Sequence, residues 1–191
     1  MAPRRPRAGA LLLAPGAGAD RTHHTLVAVA KAVAPLPSVR LDFPYRKAGR
    51  RAPDRAPVAV AAVVDEAKAL VAEAHIVPRR LVLGGRSFGG RMCSMAVAEG
   101  LPAAGLVLLS YPLHPPGKPD RLRTEHFGAL ELPCLFVSGR KDPFGSPEEF
   151  ERETSAIPGP VQLVWVDGGH DPRNADEQIA AIVSDWLAGL T

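Results

Sequence analysis

A chain of 191 residues, 46% hydrophobic and carrying a formal net charge of +3, is long enough for one domain with a substantial core and too short for two of ordinary size. No apolar stretch approaches the roughly 20 residues that cross a bilayer, and Cys93 and Cys134 form neither a disulfide framework nor a C-x-x-C pair. H-E-x-x-H and other clustered ligand spacings are absent, so neither a metal nor a cofactor is expected.

The chain opens with Arg4, Arg5 and Arg7, followed by the apolar run Ala8 to Ala14. This resembles a secretory signal, but the run is short and is interrupted by Pro15 and Gly16. It reads instead as a flexible basic leader over residues 1–8 and a first strand over about residues 9–14, with 9–191 as one domain. The loop Pro15-Gly16-Ala17-Gly18-Ala19 follows, its glycines free to turn backbone N–H groups inward. A helix over about 22–34 and a strand over about 39–43 come next. Strand, glycine loop and helix also begin a dinucleotide-binding unit, with Asp42 where a ribose-binding carboxylate would sit. Arg21, however, stands at the third glycine position, where its bulk would crowd the helix against the strand.

The segment 44–56 reads as a loop crowded with Arg46, Lys47, Arg50, Arg51 and Arg55. Such a run is ordinarily a solvated face. Placed beyond a strand end, it would instead border a site together with Arg86 and favour a carboxylate- or phosphate-bearing ester. Only Tyr45 interleaves with these charges, so nucleic-acid binding is not expected.

After a helix over about 57–75, a strand over about 80–84 runs into Gly85-Arg86-Ser87-Phe88-Gly89, and a helix over about 89–99 follows. Glycines two before and two after a serine, between a strand and a helix, mark a nucleophile elbow. Ser87 is the expected nucleophile. The backbone N–H groups of Phe88 and Ala17 are the expected oxyanion donors.

A serine needs a base, and the base needs an orienting carboxylate, in the chain order Ser, Asp, His. Strands over about 105–110, 132–138 and 161–166 are expected, with helices over about 147–156 and 174–188. Asp142 follows the second of these strands and His170 the third, in Gly168-Gly169-His170-Asp171. Of six histidines, only His170 combines the right order, a glycine-rich setting and a terminal strand before it. Asp167 and Asp171 lie too close to it in sequence to reach its Nδ1 easily. His114, beyond the 105–110 strand, and Arg86 are candidate substrate contacts. Nothing between Ser110 and Leu132 is long enough for a cap. Alternating strands and helices argue for an α/β class, a single-domain hydrolase fold with a mostly parallel six-stranded sheet and helices on both faces.

Taken together, Ala14 to Gly18, Asp42 to Tyr45, Gly84 to Arg91, Tyr111 to Pro119, Arg140 to Gly145 and Gly168 to Asp171 resemble a small family of predicted α/β-hydrolases. That family is related to dienelactone hydrolase and includes the testis-expressed and KANL-type proteins of animals. The segment 111–119 is the most diagnostic, since no general hydrolase rule predicts it. The resemblance implies the same fold and the triad already read from the residues. Dienelactone hydrolases proper use a cysteine nucleophile where this chain has Ser87.

The expected protein is a cytoplasmic serine hydrolase without a cap, cleaving small carboxylic esters, or thioesters, through an acyl-enzyme. Neither a membrane nor a nucleic acid is an expected partner, and the oligomeric state is not set by the sequence. The reading from another class is a non-catalytic interaction module that retains the fold and the triad.

Overall fold

The computed structural model describes residues 8–190. Its six strands are β1 (Ala10–Ala14), β2 (Ser38–Arg40), β3 (Leu81–Arg86), β4 (Gly105–Leu109), β5 (Cys134–Gly139) and β6 (Val161–Val166). They form one sheet in the order β2-β1-β3-β4-β5-β6, with every pairing parallel. The chain lays β2 on one side of β1, then crosses to the other side for all later strands. That reversal opens a crevice beyond the carboxyl ends of β1 and β3, where open parallel sheets place their ligands.

Six helices cover the sheet: α1 (His24–Ala32), α2 (Pro44–Lys47), α3 (Ala56–Glu73), α4 (Phe88–Ala98), α5 (Pro147–Thr154) and α6 (Asp176–Gly189). Successive strand residues point to opposite faces, and both faces are apolar. Leu12, Leu83, Leu106, Leu108 and Phe136 pack with residues of α3 and α4, while Leu11, Leu13, Val82, Val107 and Val137 pack with α1 and α6. Every residue of β1, β3, β4 and β5 is buried, as continuous apolar runs in a doubly covered sheet require. Each fully buried leucine contributes roughly 1.5–3 kcal/mol of transfer free energy. Ser146 opens α5 with a capping box, its hydroxyl accepting the Glu149 amide while Glu149 accepts the Ser146 amide at 2.7 Å.

Several boundaries differ from the sequence reading. The second strand is shorter than the expected 39–43, because the chain is leaving the sheet toward Pro44, which supplies no N–H and starts α2. Phe43 turns into the core instead and meets Phe88 edge-on at 5.3 Å. The segment expected as the loop 44–56 therefore contains a helix. β3 continues to Arg86 and α4 starts at Phe88, leaving Ser87 alone in the turn. Finally, α3 stops before His75, which is exposed and left-handed at φ +50°.

Arg4, Arg5 and Arg7 lie outside the described residues, whereas Ala8 is buried in the core. Between β4 and β5 the only regular element is a single 3-10 turn, Phe127–Ala129, so no cap covers the crevice. Among the described residues, no helix is long and apolar enough to cross a membrane.

Candidate active site

Ser87 sits at φ +49°, ψ −117°, a conformation that L-residues adopt only under constraint. The constraint is the closeness of β1, β3 and α4. A Cβ on Gly85 would lie 2.6 Å from the Ala14 carbonyl oxygen, and one on Gly89 would overlap the carbonyls of Ala14 and Pro15. The Ser87 amide is tied to the Leu109 carbonyl at 2.8 Å, so the turn is fixed from β4 as well.

The hydroxyl this turn presents lies 2.9 Å from Nε2 of His170. Nδ1 of the same ring lies 2.8 and 3.0 Å from the two carboxylate oxygens of Asp142, whose side chain is wholly shielded from solvent. With Nδ1–H donated to Asp142, Nε2 offers its lone pair to the Ser87 hydroxyl. The loops carrying Asp142 and His170 are fitted together. A side chain on Gly139 would collide with the backbone of Gly168 and Gly169, and the Lys141 amide donates to the Gly168 carbonyl at 2.9 Å.

Asp171, the rival carboxylate, points elsewhere. It faces Arg86 at 3.1 Å, His24 at 3.1 Å and His23 at 3.4 Å. Arg86 also donates to the His170 carbonyl at 2.7 Å. Burial, and then the Arg86 charge, push His23 down to about 4, so it is neutral at pH 7. His23, His24 and Asp171 bring ligand atoms within 4.8 Å of one another. The cations already facing that carboxylate are the Arg86 and Arg173 guanidiniums.

Ala17 and Phe88 join Ser87 and His170 around a cavity of about 350 Å³. A Cβ on Gly16 would lie 3.6 Å from that of Ser87, so the Pro15–Ala17 loop stands against the nucleophile. The Tyr45 hydroxyl fixes this loop by accepting the Gly18 amide at 3.0 Å. Among the described residues, neither the Ala17 nor the Phe88 amide donates to another protein group.

The two candidate substrate contacts fare differently. Arg86 borders the cavity, but its guanidinium is engaged behind it by His170 and Asp171. His114 is 5% exposed and does not border it; its ring nitrogens meet the Pro115 carbonyl at 2.9 Å and Glu149 at 3.3 Å. The loop turns this ring inward onto α5 because Glu149, already held by the capping box, supplies an acceptor there. The cavity's cations are instead Arg91 and Arg123, with Pro112 and Phe144 as apolar wall. The sequence reading missed both arginines. For Arg91 a signal exists: four residues past Ser87 on a helix places it one turn above the nucleophile on the same side.

The basic run 46–55 does not border the cavity: Arg46 pairs with Asp20 at 3.2 Å and Arg50 with Asp54 at 2.7 Å. Asp42 binds the amide and guanidinium of Arg21, at 2.8 and 3.3 Å, which leaves it no ribose to hold. Burial pushes both thiols, Cys93 and Cys134, up to about 12, so neither supplies a thiolate. A larger depression of about 600 Å³ beside Trp186 lies at the far end of β6 and contains no nucleophile and base together.

Solved structures share this architecture. An alpha-beta serine hydrolase homologue from Coxiella burnetii superposes with a TM-score of 0.77 at 18% identity, covering 97% of this chain and 88% of that one. Dienelactone hydrolase from Anabaena variabilis gives 0.76 at 18% identity, covering 96% and 87%. A protein of the alpha/beta hydrolase superfamily from Xanthomonas campestris gives 0.71 at 20% identity, covering 95% and 99%. At such identities the likeness is one of fold. The sequence itself matches the family model of an alpha/beta hydrolase domain over residues 7–180. That match takes in the elbow, Asp142 and His170, and by it this chain belongs to the alpha/beta hydrolase domain family.

Proposed function

We propose that the protein is a cytoplasmic serine hydrolase that cleaves small carboxylic esters through an acyl-enzyme. The reading rests on one observation above all. Ser87 Oγ, the His170 ring and Asp142 form a continuous line with contacts of 2.9 and 2.8 Å, beside two unused backbone amides. Ser87 attacks the ester carbonyl as His170 Nε2 takes its proton. The carbonyl oxygen, now anionic, moves toward the amides of Phe88 and Ala17, each such donor being worth ~10²–10³ in turnover. Collapse of the tetrahedral intermediate breaks the bond to the alcohol, which leaves with the proton held by His170. Water, deprotonated by the same nitrogen, then releases the acid and restores Ser87. Asp142 stays ionised throughout and stabilises the imidazolium.

Thioesters follow the same course with a thiol leaving, and the open cavity has room for them. The narrower kinship with the testis-expressed and KANL-type proteins is part of this proposal, carried by the segment 111–119. The cytoplasmic setting is supported by two cysteines that are free and buried.

The test is intact-mass analysis after a fluorophosphonate probe, on wild type and Ser87→Ala together, followed by hydrolysis of short acyl esters. One adduct on wild type and none on the variant is expected, with ester turnover falling ~10⁴-fold or more in the variant. No adduct on folded wild type overturns the reading and leaves the fold as a binding module.

A further inference from the structure

Six of the arginines whose ion pairs are described have an acid beside them: Arg21, Arg46, Arg50, Arg86, Arg152 and Arg173. Arg91 and Arg123, which border the Ser87 cavity together with Arg86, do not. Among the described residues, neither the Arg91 nor the Arg123 guanidinium makes a hydrogen bond or ion pair, and Arg91 Nε is buried with no partner. A guanidinium withdrawn from water without an acceptor is unfavourable, and two side by side are more so.

We propose that Arg91 and Arg123 form an anion-holding subsite of the Ser87 cavity, so that the preferred substrate is an ester carrying a carboxylate or phosphate. This rests on the serine-hydrolase reading and narrows its substrate class.

Three further observations carry it. First, Arg91 lies in the opening turn of α4, which contains no acidic residue. The positive end of a helix dipole disfavours a cation and favours an anion, so Arg91 is poorly placed for the helix and well placed for a ligand. Second, Arg123 is held rather than trailing. Its amide donates to the Leu113 carbonyl at 2.8 Å, and its own carbonyl accepts the buried Tyr111 hydroxyl at 2.8 Å. Tyr111 in turn packs against Phe127 and Phe136. Positioning donors on a packed framework is what an ion site requires. Third, the two arginines are near enough to oppose each other. After burial, Arg91 is the largest cause lowering the Arg123 pKa, while the acid acting on Arg123 is the exposed Glu125. An anion between the two guanidiniums relieves this repulsion and accepts from several N–H groups at once. A cavity of about 350 Å³ suits an ester of a few carbons beyond its charged end.

The experiment measures kcat/KM for matched ester pairs. Monomethyl glutarate against methyl valerate places the charge on the acyl side, and 4-acetoxybenzoate against phenyl acetate places it on the alcohol side. Competition by glutarate and by inorganic phosphate distinguishes carboxylate from phosphate. The expected result is a preference for the anionic member of at least one pair. That preference should fall by about 10- to 100-fold in Arg91→Gln and in Arg123→Gln, the loss for hydrogen bonds to a charged group. Arg91→Lys, which keeps the charge, should recover part of it. Arg121→Gln removes the same charge from an exposed position two residues away and should keep the preference. Equal rates within both pairs, or the same loss in Arg121→Gln, overturn the subsite. If wild type turns over no ester and takes no fluorophosphonate adduct, the hydrolase reading itself has failed. An adduct with neutral-ester turnover and no anionic preference sinks the subsite alone.

Discussion

Phe144 lies flat against the imidazole of His170, the ring centroids 4.0 Å apart and the planes inclined by 29°. Its own amide donates to Asp142 Oδ1 at 2.9 Å. One residue therefore steadies His170 with its ring and Asp142 with its backbone. Phe144→Ala keeps the amide and removes the ring, a contact worth ~0.5–1.5 kcal/mol. The rate of fluorophosphonate labelling of Ser87 is expected to fall about 3- to 10-fold. An unchanged rate would mean that the two loops alone hold the imidazole.

Arg86 joins β3 to the loop of His170 through the His170 carbonyl and Asp171. In Arg86→Met both acceptors lose that donor and the loop is free to shift. Misplacement of a catalytic group by about 1 Å costs on the order of 10²-fold, so a drop in kcat of about 10- to 100-fold is expected, with a lower melting temperature. Arg86→Lys, a point charge rather than a fork, should fall between. Steady-state kinetics checks this, since a residue that only bound substrate would raise KM and spare kcat.

Tyr45→Phe should leave stability nearly intact, because the ring stays buried and water can satisfy the exposed Gly18 amide. What is lost is one hydrogen bond, worth about 0.5–1.5 kcal/mol, that fixes the loop bearing the Ala17 amide. The expected signature is kcat reduced about 2- to 10-fold with the melting temperature lowered by only about 1–6 °C. Equal kcat would show that Pro15 and Gly16 fix the loop without Tyr45.

His126 is half-buried, 2.7 Å from the Ser94 hydroxyl, and burial followed by the Arg91 charge pushes it down to about 4. The unfolded chain takes up a proton near pH 6.5 that the folded protein refuses until about pH 4. Stability should therefore fall as pH drops below 6.5 and stop falling on this account below 4. His23 acts in the same direction. Solvent screening keeps the slope for His126 below the ~1.4 kcal/mol per pH unit of a fully refused proton. Melting temperatures at pH 7 and pH 5, where the carboxylates remain charged, should differ less in His126→Gln than in wild type. An equal difference would assign the slope elsewhere.

Local pattern sufficed where local physics decides. The strand 161–166 and the start of α5 at Pro147 stand where periodicity put them. Ser87, Asp142 and His170 were picked out because each follows a strand of a parallel sheet, and such ends converge on one rim. Pro44 marks the end of the second strand locally, but the packing of Phe43 was not legible, because its partner Phe88 lies 45 positions away in the chain. Arg123 sits in a stretch without periodicity, and its backbone is anchored by the buried Tyr111 hydroxyl. The inward turn of His114 depends on Glu149 in another helix. The pairing of Asp171 with His23 and His24 spans nearly the whole chain.

The glycines at 85, 89 and 139 fill no pocket; they remove bulk where two backbones touch. The first two clasp the Ser87 turn to β1, and the third clasps the Asp142 loop to the His170 loop. Both clasps are features of folding, and a descendant that had abandoned chemistry would still be obliged to keep them. The side chains of Ser87, Asp142 and His170 are under no such obligation: exchanging Ser87 for alanine leaves both clasps closed. Inheritance of the fold and inheritance of the reaction are thus written in different residues, and a relative's trade is to be judged at positions 87, 142 and 170 rather than at its glycines.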